Sequence, residues 1–345
     1  MNQSETNSNI LIVGAGAVGI TLGYHLKLAK ANITFLVRPG KKANFPSTLK
    51  LYSYDDKTLN EFQGFDVSDD INELIGKKYS YIITTLDGKS SRTEEGIILL
   101  GKIGDLARNS NSPVIMCGVG HGLREHYLQI MKMSDSMLHR GVSGWTTHQA
   151  RAEMPIHSST DLNTIKNADI CFKKYKENSD KGFQIEANNV ASIKPFVELY
   201  NRCKISRCIL VKPQMMNIFS TMVFPIYAAF DIMDWQKVSE VVANKELWKL
   251  AVRAQREVLS LPKNGFLGKA MAIIFGNLST AYLHNSLEKN SQPINYQEFN
   301  RFHHGGKVRP QNIETLKLSV IEGEASGRKM KSLKKLLEKL EETSN

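Results

Sequence analysis

The first residues with a recognisable chemistry are three glycines that follow a short apolar run near the N-terminus. Residues 9–13 are rich in branched side chains, and Gly14, Gly16 and Gly19 form a G-x-G-x-x-G pattern directly after them. In such a loop the first glycine permits a tight turn, the second lets a pyrophosphate approach the backbone, and the third lets the helix pack closely on the strand. The spacing therefore predicts a dinucleotide site. Its predicted loop residues are Gly14, Ala15, Gly16, Ala17, Val18 and Gly19.

Basic side chains follow the second apolar run and indicate which dinucleotide binds. This run ends in Arg38, with Lys41 and Lys42 behind it. Sites for NAD usually carry an acidic residue here that binds the ribose hydroxyls, whereas a guanidinium pairs with a 2′-phosphate. We therefore predict NADP(H) as the cofactor, with Arg38 and Lys41 among its ligands. The alternative is a solvated basic loop.

A second dense group of functional side chains occupies residues 298–309. Imidazole and ammonium groups can donate a proton to a reacting carbonyl, and amide and guanidinium groups can hold a carboxylate. The candidate proton donors here are His303, His304 and Lys307, and the candidate substrate ligands are Asn300, Arg301 and Arg309. Adjacent histidines point to different faces of a helix and no third ligand is evident, so no metal site is predicted. The alternative is a helix C-terminus that Gly305 ends.

The elements that position the first group alternate between strand and helix. Residues 79–85 and 113–117 are predicted strands, and a helix is predicted over about 93–107. Ligands bind at the carboxyl ends of such parallel strands. The residues predicted to line the cofactor cleft are therefore Thr84, Thr85, Leu86, Cys117 and Gly118. Residues 141–175 are expected to complete the same sheet.

The second half shows mainly helical periodicity, with no further sign of parallel strands. The predicted helices span 190–202, 213–232, 236–260, 265–282 and 310–342. The predicted fold class is therefore α/β, with a Rossmann-type doubly wound parallel sheet in residues 1–185 and an all-helical C-terminal domain in residues 186–345.

Short motifs along the whole chain resemble the ketopantoate reductase (2-dehydropantoate 2-reductase) family. They span residues 10–19 with the Leu36-Val37-Arg38 strand end, 116–120, 144–150 and 309–312. The resemblance implies a Rossmann domain followed by a helical domain, NADPH, a 2-oxo acid substrate and a homodimer through the helical domain.

The polar positions that the family uses for catalysis are changed here. The family places a Lys nine residues before an Asn-Pro pair, two Asn on the same helix, a Glu near the last motif, an Asn in the Gln-Asn-Gly motif and a Lys after the 79–85 strand. The residues at these positions are Met216, Ser220, Phe224, Gln311, Cys117 and Asp87. Lys212, one helical turn before Met216, joins the candidate proton donors, and Gln311 joins the candidate substrate ligands. We therefore do not expect true ketopantoate reductase activity.

Two functions remain open. The first is an NADPH-dependent oxidoreductase that reduces a small anionic carbonyl compound by hydride transfer. The alternative is a catalytically inactive NADP-binding sensor or regulator of the same fold. Such a protein would keep the glycines of the cofactor loop and lose the family's catalytic residues, which is the pattern in this sequence.

Composition and charge exclude several other classes. The chain has 345 residues and a net charge of +11, and residues 181–345 carry 24 Lys+Arg against 15 Asp+Glu. Much of this excess lies in 328–339, where a Leu stripe predicts an amphipathic helix with a solvated Lys face rather than a nucleic-acid arm. Four sparse cysteines and a polar N-terminus predict a cytoplasmic protein without a signal peptide. The apolar segment 215–230 is interrupted by polar residues, so we expect a buried helix and not a membrane span.

Overall fold

The computed structural model describes residues 8–151, 162–174 and 181–343, apart from the side chains of Lys181 and Lys307. Within these residues the chain forms two compact units. Unit 1 extends to Lys212, and unit 2 begins at Pro213. The two units are described separately.

Unit 1 contains twelve strands among the described residues. They are β1 (Asn9–Val13), β2 (Asn32–Leu36), β3 (Thr48–Ser53), β4 (Leu59–Gln63), β5 (Asp66–Ser68), β6 (Tyr81–Thr84), β7 (Val114–Met116), β8 (Leu138–Ser143), β9 (Trp145–Gln149), β10 (Ile170–Lys174), β11 (Lys181–Glu186) and β12 (Arg207–Val211). Its helices are α1 (Ala17–Leu28), α2 (Glu94–Ser110), α3 (Leu123–Met131), α4 (Leu162–Ile165) and α5 (Val190–Asn201).

The main sheet has eight strands in the order β12-β11-β8-β7-β6-β1-β2-β5. The six strands from β8 to β5 are parallel to one another. Alternate β1 residues face opposite sides: Ile10 and Ile12 pack in the cluster that contains α1 and α5, and Leu11 and Val13 pack in the one that contains α2 and α3. Helices therefore cover both faces, which confirms the doubly wound fold class.

The segment 141–175 does not complete the main sheet as expected. Among the described residues of this segment only β8 joins that sheet, while β9 and β10 pair with β3 and β4 in a separate sheet of order β4-β3-β10-β9. The buried side chains of Leu49, Leu51, Ile170 and Phe172 pack in the same cluster as α1. Alternating apolar residues predict a strand, but they do not specify which sheet the strand joins.

The strand β12 was not foreseen from the helical pattern of the second half. It pairs in parallel with β11, which pairs antiparallel with β8. Unit 1 therefore continues through α5 and β12, past the boundary expected near residue 185.

The described part of unit 2, residues 213–343, is built from helices. They are α6 (Pro213–Thr221), α7 (Phe224–Ile232), α8 (Val238–Ala243), α9 (Lys245–Leu259), α10 (Gly265–Ile274), α11 (Asn277–Ser291), α12 (Tyr296–Asn300), a π-helical turn (Arg301–Lys307), α13 (Arg309–Ala325) and α14 (Lys331–Glu342).

The last helix confirms the amphipathic pattern seen in the sequence. α14 packs on α7, α9 and α13, and its Leu stripe is buried while its lysines are exposed. The Glu257 carboxylate accepts hydrogen bonds from the backbone N–H groups of Ser332 and Leu333, at 3.0 and 2.9 Å. It thus caps the helix N-terminus and complements its dipole.

Two parts of unit 2 are long and apolar enough for a membrane span by length and composition. They are Pro213–Ile232 and the pair Pro262–Ile274 with Asn277–Ser291, which is bent by 89°. Half of the first window is buried within the protein.

Candidate cofactor loop and helical cluster

The glycine loop has the geometry that its sequence predicts. Gly14 has a φ of +99°, a conformation that other residues rarely adopt. A Cβ on Gly19 would lie 2.1 Å from the Gly14 carbonyl oxygen, so α1 packs directly against the turn. A Cβ on Gly16, by contrast, would meet no protein atom within 4 Å. The loop is therefore closed on its inner side and open at Gly16.

The start of α1 offers backbone N–H groups to an anion. Gly16 is the N-cap, no side chain among the described residues caps the helix there, and its first turn carries no acidic residue. Free N–H groups and the positive end of the helix dipole suit a phosphate. The loop and the open position beside Gly16 thus fit the pyrophosphate of a dinucleotide.

Thr85 fixes this loop from the neighbouring strand. Its hydroxyl lies 3.0 Å from the Val13 carbonyl oxygen and 3.1 Å from that of Gly14, and its N–H donates to Val13 at 2.9 Å. Thr84 is fully buried and reaches the Tyr127 hydroxyl at 3.5 Å, so its side chain faces α3. Thr85 therefore lies at the predicted edge, whereas the side chain of Thr84 belongs to the core.

The ends of β6 and β7 approach each other closely. A Cβ on Gly118 would lie 2.8 Å from the Leu86 carbonyl oxygen. Cys117 donates its N–H to Thr84, and burial raises the pKa of its thiol to about 12, so this group is neutral. Leu86, Cys117 and Gly118 thus lie at the carboxyl edge predicted from the sequence, and their contact with a cofactor stays a prediction.

Arg92 is a positioning residue that the sequence did not reveal. Its guanidinium donates to the Gly88 carbonyl at 3.2 Å and to the His121 carbonyl at 2.9 Å. It thereby joins the loops that follow β6 and β7. No local motif marks this arginine, because its partners become neighbours only when the two strands pair.

The basic residues after β2 divide into two groups. The side chain of Lys42 pairs with Glu73 at 3.1 Å, and its N–H donates to Asp69 at 3.2 Å. Arg38 and Lys41 are exposed, and neither has a carboxylate partner among the described residues.

β2 is the parallel neighbour of β1, and Gly14 donates its N–H to Leu36 at 2.9 Å. Two unpaired cations thus lie at the strand end next to the glycine loop.

Lys212 does not lie at this edge. It is exposed and directly follows β12, which runs opposite to β1, β6, β7 and β8. The carboxyl end of β12 is therefore at the amino end of the parallel strands, away from Gly14.

In unit 2, Gly305 does not end a helix as the alternative interpretation proposed. It lies inside the π-helical turn, and a Cβ there would come within 2.5 Å of the Trp235 Nε1. Trp235 also donates from Nε1 to Asp231 at 3.1 Å. Gly305 thus permits close packing of the turn against an indole ring.

Both candidate arginines of the turn already have acidic partners. The Arg309 Nε lies 2.6 Å from Asp231, and the Arg301 guanidinium lies 2.5 Å from Asp234 and 3.9 Å from Glu298. The cluster therefore lacks the surplus positive charge that residues 298–309 suggest in isolation. Asp231 and Asp234 lie 78 and 67 positions earlier than Arg309 and Arg301, so the local sequence does not show these pairs.

His304 is held as a neutral aromatic group. Its ring centroid is 4.4 Å from that of Tyr227, and Asn312 Nδ2 is 3.2 Å from its Nδ1 and 3.1 Å from its carbonyl oxygen. Burial, with a smaller contribution from His303, lowers the pKa of His304 to about 3. The His304 ring is therefore uncharged at neutral pH. His303 stacks on Phe299, and the side chain of Lys307 lies outside the described residues.

The remaining candidates of unit 2 also make hydrogen bonds within that unit. Asn300 is buried and donates to the Tyr296 carbonyl at 2.8 Å, and the Gln311 carbonyl accepts from Thr315 at 2.9 Å. Met216 and Phe224, which the resemblance aligns with polar residues of the family, are buried. The described residues contain no group of three or more His, Cys, Asp or Glu side chains that could hold a metal ion.

Comparisons with known proteins agree with this description. Residues 10–94 match the sequence model of the ketopantoate reductase PanE/ApbA family. The fold matches 2-dehydropantoate 2-reductase from Geobacter metallireducens, with a TM-score of 0.67, 15% identity and coverage of 97% of this chain and 99% of that one. The enzyme of the same name from Porphyromonas gingivalis gives a TM-score of 0.64 and 12% identity, covering 97% and 99%.

D-mandelate dehydrogenase with NADH and anilino(oxo)acetate also matches, with a TM-score of 0.64, 12% identity and coverage of 96% of this chain and 97% of that one. No curated protein sequence matches this chain.

The fold and the loop together define a two-unit protein with a Rossmann-type unit and a helical unit. The resemblance predicted from the sequence is confirmed: the chain has the fold of ketopantoate reductase-like oxidoreductases, and its first strands and helix match that family's sequence model.

Proposed function

We propose that this chain is an NADP(H)-dependent oxidoreductase that reduces a small carbonyl compound bearing a carboxylate, of the 2-oxo acid class. The proposal rests above all on the strand edge at Gly16 and Arg38. Gly16 follows β1 and lies open at the N-terminus of α1. The neighbouring parallel strand, β2, is followed by the unpaired cations Arg38 and Lys41. NADPH, when bound, supplies a hydride to the carbonyl carbon.

Unit 1 provides the groups that would hold the cofactor. The N–H groups of the first α1 turn suit the pyrophosphate, and Arg38 and Lys41 suit a 2′-phosphate. Thr85 and Arg92 keep the surrounding loops in place through their bonds to backbone carbonyls. The cofactor specificity of the chain would therefore reside in the short segment between β2 and Phe45.

Chemistry and the structural neighbours support the proposed substrate class. Those neighbours are 2-dehydropantoate 2-reductases and a D-mandelate dehydrogenase that holds anilino(oxo)acetate, an amide with a carbonyl next to a carboxylate. The alkoxide formed by hydride addition needs a proton donor. We retain His303 and Lys307 for this role, since His304 is neutral and Lys212 lies at the other sheet edge.

One observation favours a second function, an NADP-binding sensor or regulator without catalysis. Arg301 and Arg309 are paired with Asp234 and Asp231. Met216 and Phe224, which the resemblance aligns with catalytic residues of the family, are buried apolar residues. Such a protein would keep the nucleotide loop and lose turnover.

The experiment that separates these functions measures NADPH binding and NADPH oxidation on the same preparation. The enzyme is expected to oxidise NADPH with at least one member of a 2-oxo acid panel. Replacing the operative donor, by His303→Ala or Lys307→Ala, is expected to lower that rate by about 10²–10⁴-fold with unchanged NADPH affinity. Tight binding without turnover across the panel would establish the sensor instead, and absence of binding would overturn both.

A further inference from the structure

The turn that follows β6 carries an exposed cation at the carboxyl edge of the main sheet. Arg92 ends a short 3₁₀ turn, Ser90–Arg92, directly before α2, and it is exposed. Its guanidinium donates to the Gly88 carbonyl oxygen at 3.2 Å and to the His121 carbonyl oxygen at 2.9 Å. Because Gly88 follows β6 and His121 follows β7, the guanidinium lies where the loops after these two parallel strands meet.

These bonds do not neutralise the charge of Arg92. Both partners are uncharged carbonyl oxygens, and Arg92 forms no ion pair with a carboxylate among the described residues. Arg108, near the other end of α2, also donates to a backbone carbonyl, that of Met131, but it pairs with Asp105 as well. Two bonds use only part of the N–H donors of a guanidinium, so the other donors of Arg92 remain for a ligand.

The acidic residues near Arg92 in the chain have other positions. Asp87 accepts a hydrogen bond from the Ser90 N–H at 2.7 Å. Glu94 and Glu95 lie in the first turn of α2, where carboxylates complement the helix dipole. Within residues 87–92, Lys89 is a further exposed cation beside Arg92. The turn therefore suits an anion.

The turn is held in place by the protein itself. His126 of α3 donates from Nε2 to the Ser91 carbonyl oxygen at 2.9 Å, and the Ser91 hydroxyl donates to the Gly88 carbonyl at 3.0 Å. The two bonds of Arg92 then fix its guanidinium between the loops. A cation that is already held loses little freedom when it binds an anion, so this arrangement suits a ligand site.

The strand order relates Arg92 to the reacting half of the cofactor, a step that rests on the proposed function. β2 lies on one side of β1, and β6 and β7 lie on the other. A dinucleotide spans the crevice where the strand order reverses, with one half on each side. With its 2′-phosphate at Arg38 after β2, its nicotinamide half would lie over β6 and β7. The carboxylate of a 2-oxo acid is bonded to the carbon that receives the hydride, so it would bind at this end too.

We propose that Arg92 binds the carboxylate of the substrate. Its planar fork can hold both oxygens of a carboxylate, which an ammonium group cannot do in the same way. Arg301 and Arg309, the candidates for this role in the sequence, each pair with an aspartate. Arg92 is thus the residue of unit 1 that selects an acid over a neutral carbonyl compound.

The test is the binding of oxamate to the full chain loaded with NADP⁺, measured by calorimetric titration. Oxamate carries a carboxylate next to an amide carbonyl, which resists reduction. Arg92→Gln keeps an N–H donor for the loop carbonyls and removes the charge, and it is expected to weaken oxamate binding about ten- to a hundred-fold. Ethyl oxamate, in which an ester replaces the carboxylate, should bind both proteins alike. The affinity for NADPH should be unchanged.

Arg108→Gln is the matched control, because Arg108 also joins α2 to a backbone carbonyl but lies near the other end of the helix. It should leave the oxamate affinity unchanged. Arg92→Lys keeps the charge without the planar fork, so its oxamate affinity should lie between those of the wild-type chain and Arg92→Gln. Urea unfolding checks that each variant folds. A measurement without substitution is the reaction of wild-type Arg92 with phenylglyoxal, which oxamate should slow, read by peptide mass spectrometry.

Several results would overturn the inference. They are a wild-type chain that does not bind oxamate, equal oxamate affinities of the wild-type chain and Arg92→Gln, and modification of Arg92 at the same rate with and without oxamate. A loss of NADPH affinity in Arg92→Gln, with the preference for oxamate over its ester retained, would assign Arg92 to the cofactor instead. Oxamate binding that depends on Arg92, without NADPH oxidation by any 2-oxo acid, would refute the proposed function and support the role of Arg92.

Discussion

The hydroxyl of Thr85 and the carbonyl of Gly14 are joined by a 3.1 Å hydrogen bond that holds the glycine loop against the adjacent strand. The same hydroxyl would lie 2.5 Å from a Cβ on Gly14. The turn therefore requires a glycine at position 14, because the Thr85 hydroxyl occupies the space that a side chain would need.

Replacing Gly14 by Ala is expected to lower the free energy of unfolding and to abolish NADPH binding. The positive φ costs about 1–3 kcal/mol for a residue with a Cβ, and the clash with Thr85 adds to it. Urea unfolding and an NADPH titration measure the two effects. Gly101→Ala in α2 is the control, since a Cβ there would meet no atom within 4 Å. A Gly14→Ala protein as stable as this control would contradict the role of the turn.

Thr85→Val keeps the shape of the side chain and removes its hydroxyl. We expect a loss of about 1–3 kcal/mol in unfolding free energy, because the Val13 and Gly14 carbonyls lose a donor. Thr85→Ser should retain most of the stability. If both variants unfold at the same urea concentration, the hydroxyl does not hold the loop.

Arg38→Ala is expected to lower the affinity for NADPH about ten- to a hundred-fold and to leave the affinity for NADH nearly unchanged. The expected effect corresponds to a charge-assisted hydrogen bond to a 2′-phosphate, which contributes about 1.5–3 kcal/mol. Lys42→Ala is the matched control, because Lys42 already pairs with Glu73. Equal effects of Arg38→Ala on both nucleotides, measured by calorimetric titration, would refute the phosphate assignment.

Gly305→Ala and Gly306→Ala form a matched pair of adjacent substitutions. A Cβ at Gly305 would approach the Trp235 indole to 2.5 Å, whereas the nearest atom to a Cβ at Gly306 is 3.6 Å away. Overpacking costs about 1–3 kcal/mol. We therefore expect a lower melting temperature for Gly305→Ala than for Gly306→Ala. Similar melting temperatures would show that the turn accommodates the new Cβ beside Trp235 with no loss of stability.

Buried histidines make the stability depend on pH. Burial lowers the pKa of His25 to about 3 and that of His284 to about 4, whereas both have the ordinary value of 6.5 in the unfolded chain. Between pH 6.5 and the folded values the unfolded state binds more protons, so stability is full above pH 6.5 and falls as the pH decreases. Each histidine contributes about 1.4 kcal/mol per pH unit over that interval.

His284→Phe is expected to reduce this slope by about 1.4 kcal/mol per pH unit between pH 5.5 and 4.5. Urea unfolding at several pH values measures it, and the slope separates this effect from any loss of packing. An unchanged slope would mean that His284 titrates alike in the folded and unfolded chain.

The sequence predicts the structure correctly where a feature depends only on residues close together in the chain. Gly14, Gly16 and Gly19 have roles set by their immediate neighbours, and their geometry follows the pattern. The Leu stripe of α14 likewise requires only helical spacing.

The sequence does not predict features that depend on contacts between residues far apart in the chain. The neutralisation of Arg309 by Asp231, the inclusion of Gly305 in a π-helical turn against Trp235, and the pairing of β9 and β10 with β3 and β4 all depend on tertiary contacts. No periodicity in the local sequence encodes these contacts.

The most direct test of the proposed function is the fate of the hydride itself. NADPH carrying deuterium at both C4 positions of the nicotinamide is mixed with the protein and a panel of 2-oxo acids, and the products are examined by mass spectrometry. We predict a 2-hydroxy acid with one deuterium on C2. Bound NADPH with no labelled product from any member of the panel would contradict it.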